Sequence, residues 1–314
     1  MTSARPVAII TDVTDLSVDP AVEILESAGF AVHVLALDRD PIVPDAARSA
    51  VVALAGYAFL GREFFDALPD LRYVGTASAG FDMVDIDTAR ARDVVVQPLV
   101  GVATQEVAAH ALTLILAVER DLVAAARGVA DGGWSESYAA LPRRLSELTL
   151  GLYGLGRIGR QLAAIARPLF ARVIAHDPYV TRAGDGVDAL VTVPELLSAS
   201  DVLSLHLPLT PATHGVVAAA ELAALPAGAT LVNVSRGELV DSDALVAALD
   251  AGRLRGAGLD VLGGEPPRAD DPLRMHPRAI VTPHVAYLSE RSLEGYLRQP
   301  ARSAVAWWES AHAR

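Results

Sequence analysis

The chain has 314 residues, with 26 basic and 38 acidic side chains, 52% hydrophobic residues and no cysteine. A formal net charge of −12 argues against a general nucleic-acid or anionic-membrane binder. Lacking cysteine, the chain has no thiol nucleophile, disulfide framework or cysteine-held metal, and since every basic residue is an arginine it has no Walker lysine and no Schiff-base lysine.

That length fits about two domains. The apolar start, Val7 to Ile10, is too short for a signal-peptide core, and the apolar run from Val107 to Val118 is interrupted by His110 and Thr113. The chain reads as a soluble cytoplasmic protein. Short apolar runs at 7–10, 31–35, 51–55, 73–76 and 94–97 predict buried strands. Amphipathic stretches at 21–28, 62–68 and 87–92 predict helices between them, the first opened by Asp19-Pro20. Such alternation predicts a parallel sheet covered on both faces.

Pro98 closes that unit, and the longest helix of the chain is expected next, capped by Thr104 and with Glu106 in its first turn. Val107, Ala111, Leu114, Ile115, Val118 and Leu122 form a stripe at helical spacing, while Leu112 and Leu116 lie opposite. The helix reads equally well as a core helix or a dimer-interface helix. Beyond a Gly/Trp/Ser-rich loop around 131–137, strands are predicted at 149–153, 172–176, 202–205, 230–234, 258–261 and 280–282. Helices are predicted at 157–169, 193–198, 218–224 and 243–251, which makes a second doubly wound unit. A last amphipathic helix over roughly 290–310 ends the chain.

Gly154-Leu155-Gly156-Arg157-Ile158-Gly159 is a G-x-G-x-x-G set between an apolar strand and an amphipathic helix. Alone the pattern is weak; the strand before it and the helix after it give it physical meaning. The first glycine permits the tight turn, the second lets a pyrophosphate approach the backbone, and the third lets helix pack on strand. Amides of Arg157 and Ile158 would face the diphosphate. Asp177, 18 residues past Gly159 and directly after the next strand, is placed to accept hydrogen bonds from a ribose. A dinucleotide unit starting this far into the chain predicts a separate domain in front of it.

Arg236, Glu265 and His284 each follow a predicted strand. In an open parallel sheet that edge faces the ligand crevice. Singly, each has a plainer reading: a solvated loop arginine, a loop carboxylate, a helix-capping histidine. Together, an arginine, a carboxylate and an imidazole suit a carboxylate-bearing substrate and one proton transfer.

With these residues assembled, the chain resembles the D-isomer-specific 2-hydroxyacid dehydrogenase family over nearly its whole length. The likeness includes Ser78-Ala79-Gly80-Phe81-Asp82, the Gly154–Gly159 set, the stretch from His206 to Thr213, Val232-Asn233-Val234-Ser235-Arg236-Gly237, the stretch from Gly256 to Pro266, and Thr282-Pro283-His284. The run His284-Val285-Ala286-Tyr287-Leu288-Ser289-Glu290 looks closest to the C-terminal binding protein-like subgroup, which contains dinucleotide-sensing corepressors.

The resemblance implies two doubly wound parallel-sheet α/β domains, a Rossmann NAD-binding domain (99–287) inserted into a flavodoxin-like substrate domain (1–98 plus 288–314). It implies a homodimer through the cofactor domains, with no nucleic acid, membrane or metal involved. It makes Arg236 the substrate-binding arginine and Glu265 with His284 the acid/base pair. Amides of Ser78, Ala79 and Gly80 match the carboxylate cradle. Thr104, His206, Val234, Ser235, Asp260 and Ala286 join the glycine turn and Asp177 as cofactor residues, Asp260 matching the aspartate that holds the nicotinamide carboxamide. Met83, Ala103, Ala109 and Leu262 depart from the family pattern, Met83 and Leu262 at the expected substrate pocket.

The expected activity is reversible hydride transfer between NAD and C2 of a small 2-hydroxy or 2-keto acid. The competing readings are an NAD-sensing dimeric regulatory protein and, third, a phosphite dehydrogenase on the same scaffold.

Overall fold

The computed structural model describes residues 5–12, 17–37, 42–134 and 141–313, so the predicted loop around 131–137 lies partly outside the described residues. The chain divides into two compact units, Met1–Val102 with Ser289–Arg314, and Ala103–Leu288.

In the first unit the strands are β1 (Val7–Ile10), β2 (Ala31–Val34), β3 (Ala50–Ala55), β4 (Tyr73–Thr76) and β5 (Val95–Gln97), interleaved with α1 (Asp19–Ser27), α2 (Arg62–Ala67) and α3 (Ile86–Ala91). They form one parallel sheet in the order β2-β1-β3-β4-β5, the flavodoxin-like order. Successive strand residues point to opposite faces, so an uninterrupted apolar run feeds two cores. Ile9, Ala53 and Val74 pack with Phe64 and Phe65 of α2 on one side. Ala8, Ile10, Val52, Leu54 and Tyr73 pack on the other with Leu25 of α1 and with Ala301 and Ala304 of the C-terminal helix Glu290–His312. That helix also sets Trp307 against Tyr73 and Trp308 against Phe30, with ring centroids 5.0 and 5.4 Å apart.

In the second unit α4 (Thr104–Glu119) and α5 (Leu122–Ala130) precede β6 (Thr149–Tyr153), α6 (Arg157–Ala166), β7 (Arg172–His176), β8 (Ala189–Leu190) and α7 (Val193–Ala199). There follow β9 (Val202–Leu205), α8 (Ala219–Ala224), β10 (Ala229–Asn233), α9 (Ser242–Asp250), β11 (Leu254–Leu259) and β12 (Ala279–Val281). The sheet is parallel in the order β12-β11-β10-β9-β6-β7-β8, and strand order reverses between β6 and β9. Crevices that bind ligands form at such a reversal, beyond the carboxyl ends of the strands.

Several expectations are corrected. The longest helix is the C-terminal one, of 23 residues, against 16 in α4. Thr104 does not cap α4: the cap position falls to Ala103, whose side chain makes no capping hydrogen bond, and Thr104 is the first helical residue. The expected stripe ends before Leu122, because Asp121 turns left-handed (φ 51°) and α5 starts anew, leaving Leu122 59% exposed. The strand expected at 258–261 runs from Leu254 to Leu259. Gly256 and Gly258 hid it, since a glycine carries no apolar signal. A Cβ at Gly256 would lie 2.9 Å from Val118, and one at Gly258 2.8 Å from Leu114, so the glycines let α4 lie close on the sheet. One face of α4 is therefore a core face.

Glu119, fully buried at the end of α4, accepts from Arg143 at 2.6 and 2.9 Å and from the Thr230 hydroxyl at 2.6 Å, tying the returning chain to β10. A buried carboxylate persists only when paired and hydrogen-bonded in this way. Among the described residues no helix is long and apolar enough to cross a membrane.

Candidate active site

The glycine turn sits at the switch point, between the carboxyl ends of β6 and β9. Gly154 has φ 100°, and a Cβ there would lie 2.5 Å from the His206 carbonyl, so only glycine fits between the two strand ends. A Cβ at Gly159 would overlap the Gly154 carbonyl, whereas one at Gly156 would meet nothing. The chain is therefore crowded beneath the turn and open above it, where Gly156 and Arg157 are exposed and Ile158 half-buried at the start of α6. A cradle of this shape fits a phosphate chain.

Two polar side chains flank the cradle. Asp177, just past β7, accepts from the Leu155 amide at 2.8 Å and from the Tyr179 amide at 2.9 Å, which pins its carboxylate beside the turn. His206, just past β9, bonds through Nε2 to the Ser204 hydroxyl at 2.9 Å, and burial pushes its pKa down to about 4. Its Nδ1 is buried with no hydrogen-bond partner among the described residues. An orphaned buried nitrogen costs free energy unless a ligand or water meets it. The cradle and the orphaned nitrogen both fit a bound dinucleotide.

The expected reactive triplet assembles at the carboxyl ends of three adjacent strands, β10, β11 and β12. Asn233, buried at the end of β10, donates to the Arg236 carbonyl at 2.8 Å and accepts from the Ser235 amide at 3.0 Å; the Ser235 hydroxyl bonds the Leu205 carbonyl at 2.9 Å. This shapes the turn that presents Arg236. Gly237 lets the turn press on the next loop, since a Cβ there would overlap the Leu262 carbonyl. Glu265 in that loop takes the Leu262 amide at 3.0 Å on one oxygen and His284 Nδ1 at 2.6 Å on the other.

Burial pushes the Glu265 carboxyl up and is the largest single influence. The His284 hydrogen bond and charge, the Leu262 amide and the Arg236 guanidinium together outweigh it and hold the group below the usual carboxylate range. Glu265 is thus an acceptor at neutral pH, His284 Nδ1 is the donor, and Nε2 makes no hydrogen bond among the described residues. The imidazole is 42% exposed, open to a ligand.

The other expected cofactor residues are placed less directly. Val234 and Ala286 are buried beside the site, and the Ala286 amide already donates to Asp260 at 2.8 Å. Asp260 Oδ1 accepts from the Thr282 hydroxyl and the Val285 amide, and Oδ2 from the Ala286 amide alone, which leaves Oδ2 acceptor capacity for a ligand. Met83 and Leu262, the departures that put the pocket in question, turn inward instead: each packs in the apolar core of its own unit. In the first unit, the Ser78 carbonyl accepts from Leu99 and Thr76, and the Gly80 carbonyl accepts from the Ser78 hydroxyl at 2.6 Å. The amides of Ser78, Ala79 and Gly80 have no acceptor among the described residues. Sequence reasoning missed Asn233, Thr282 and His110, whose signal was a polar residue inside or beside an apolar run.

A sheet that reverses its order around a glycine turn, with an imidazole–carboxylate pair at its edge, is the class of fold that binds dinucleotides. Residues 112–286 match the family described as D-isomer specific 2-hydroxyacid dehydrogenase, NAD binding domain, and the chain belongs to that family. It is 32% identical over 271 residues to a D-3-phosphoglycerate dehydrogenase of Archaeoglobus fulgidus, covering 85% of this chain and 51% of that protein. The chain thus spans about half the length of such relatives. A crystal structure of D-lactate dehydrogenase from Aquifex aeolicus with NAD and lactic acid superposes with a TM-score of 0.87 at 27% identity, covering 96% of both chains. An NADPH-dependent glyoxylate/hydroxypyruvate reductase from Sinorhizobium meliloti, in complex with NADP and malonate, also reaches 0.87 at 30% identity, over 97% of this chain and 94% of that one.

Proposed function

We propose that the chain is an NAD-dependent D-2-hydroxyacid dehydrogenase acting on a small 2-keto or 2-hydroxy acid. The observation that carries this reading is the 2.6 Å His284–Glu265 contact beside the Arg236 turn. The glycine turn, Asp177 and His206 would hold the nicotinamide cofactor, which as NADH would supply the hydride to C2 and as NAD+ would accept it. Arg236 presents a planar fork of donors that matches a carboxylate with two parallel hydrogen bonds. Protonated His284 gives its Nε2 proton to the oxygen at C2 in reduction and recovers it in oxidation. Glu265 holds the Nδ1 proton throughout and stabilises the charged imidazolium. The acceptor-free amides of Ser78, Ala79 and Gly80 support a carboxylate-binding role for that turn. The test is oxidation of NADH with a panel of 2-keto acids. Absence of turnover with every member, alongside tight NADH binding, would favour an NAD-sensing regulatory protein instead.

Cofactor choice follows from Asp177. A carboxylate pinned there accepts from both ribose hydroxyls of NAD, while a 2′-phosphate would bring like charges within a few ångströms. At an intermediate dielectric that repulsion is on the order of several kcal/mol. A preference of about 10²-fold needs only about 2.7 kcal/mol of it. NADH is expected to exceed NADPH in kcat/KM by at least that factor at equal keto-acid concentration; equal values would remove Asp177 from the ribose.

The same reading makes the protein a homodimer through its cofactor domain. α5 has no buried residue, and Leu122, Val123, Val129 and Trp134 are 59, 48, 52 and 91% exposed. Apolar exposure of this kind on a helix marks an interaction surface. Light scattering is expected to give a dimer for the native chain and a monomer for Val123→Glu/Val129→Glu; a native monomer at micromolar concentration refutes the assignment.

A further inference from the structure

We propose that the two loops at the carboxyl edge of the first sheet select 2-keto acids with an apolar or aromatic side chain, and reject side chains carrying a second anionic group. Tyr57, Phe59 and Phe81 are the selecting residues. The proposal rests on the dehydrogenase reading above and names its substrate class.

The loops leave β3 and β4, which are neighbours in the sheet, Ala55 pairing with Thr76. They stay joined beyond the strand ends: the Leu60 amide donates to the Met83 carbonyl at 2.8 Å, and the Asp85 amide to the Leu60 carbonyl at 3.0 Å. Burial alternates along the first loop. Ala58 and Leu60 are buried, whereas Tyr57 and Phe59 are 68 and 72% exposed; Phe81, in the second loop, is 45% exposed. Three large aromatic side chains held in solvent on two joined loops mark a place where an apolar group binds.

The neighbouring amides say which group. Ser78, Ala79 and Gly80, whose amides have no acceptor among the described residues, directly precede Phe81 in the second loop. Neighbouring strands lie about 4.8 Å apart. A carboxylate held on those amides therefore brings the rest of a small keto acid within reach of the first loop.

A charged side chain meets the opposite conditions. The amides of Gly56, Tyr57 and Ala58 converge, as successive amides do in anion-binding nests, but this nest is already filled. The Asp12 carboxylate, 3% exposed past the end of β1, accepts from them at 3.1, 2.6 and 3.4 Å, and the Thr11 hydroxyl also donates to it. No amide of that run is left for a phosphate or sulfonate, and the carboxylate itself repels one. Residues 56–62 and 77–85 hold Asp82 and Asp85 against one base, Arg62, whose charge already bears on Asp85. Asp12 thus fixes the backbone that presents Tyr57 and closes the anion site in the same contact.

The experiment measures kcat/KM with NADH for phenylpyruvate, 4-methyl-2-oxopentanoate, pyruvate and 3-phosphohydroxypyruvate, in the native chain and in Tyr57→Ala and Phe59→Ala. In the native chain the two acids with apolar side chains are expected to exceed pyruvate by about tenfold or more, the usual effect of added methylenes in an apolar pocket. They should exceed 3-phosphohydroxypyruvate by about 10²-fold, because its phosphate meets like charge and no free amide. Tyr57→Ala should lower the phenylpyruvate-to-pyruvate ratio by about tenfold and Phe59→Ala by about threefold. Thermal midpoints should stay near native, since both side chains are exposed. Highest efficiency with pyruvate or with 3-phosphohydroxypyruvate overturns the proposal. So does a ratio unchanged in both variants, and a dimer lost in them alongside would reassign the aromatics to an interface between copies. Should the native chain turn over no keto acid, the dehydrogenase reading fails, and calorimetric titration of the NAD-loaded protein with phenylpyruvate and pyruvate still decides the selection. Tighter phenylpyruvate binding that Tyr57→Ala removes supports it; equal binding, or none, overturns it.

Discussion

His284→Ala is expected to lower turnover by about 10²–10⁴-fold, the usual contribution of one positioned acid/base group. The 2.6 Å contact with Glu265 commits Nδ1 and leaves Nε2 for the substrate. His206 is kept neutral by burial, at a pKa of about 4, and cannot donate a proton near neutral pH. NADH binding should survive, because the glycine cradle, Asp177 and His206 lie at the β6/β9 switch point and not on the His284 loop. Glu265, held below the usual carboxylate range, stays ionised through neutral pH and adds no limb to the pH profile there. A His284→Ala variant with near-native turnover at neutral pH would mean that another group is the acid.

Arg236→Lys should be a severe lesion although the charge is kept. Lysine offers a point charge on a flexible stem and cannot present two parallel donors to a carboxylate. A loss of about 10²-fold or more in kcat/KM, equivalent to about 2.7 kcal/mol, is expected. The effect should fall mainly on substrates with a carboxylate, since Asn233 and Gly237 also shape the turn, alongside the 2.9 Å bond from the Arg236 guanidinium to the Ser235 carbonyl. The guanidinium also contributes to lowering Glu265, so a retained lysine charge should keep Glu265 ionised and leave the pH profile near native. Steady-state kinetics across the keto-acid panel decides it; native efficiency for the lysine variant would reduce Arg236 to a solvated loop residue.

Both variants test residues that were legible before any fold was known. Arg236, Glu265 and His284 stood out because each is a polar residue just past an apolar strand, where a parallel sheet places its ligand edge. The glycine set was legible for the same reason. Asn233, Thr282 and His110 were not, because their chemistry depends on partners far away in sequence. His110 meets Thr282 across 172 positions, and neither residue carries a local sign of the other. The missed start of β11 has a different cause: Gly256 and Gly258 are silent to hydrophobic patterning, yet they are what α4 packs against.

Alternation of apolar and amphipathic runs therefore determined by itself that this protein is two parallel α/β units with a dinucleotide turn in the second. It did so because burial on both faces of a sheet writes a local, short-range pattern into the chain. Only the tertiary structure decided that α4 lays an apolar face on the sheet while α5 is left exposed, and that the Asp260 carboxylate accepts from Thr282, Val285 and Ala286. Those outcomes rest on close approaches and hydrogen-bond partners that exist only once distant strands lie side by side, with every buried donor and acceptor competing for the same few partners.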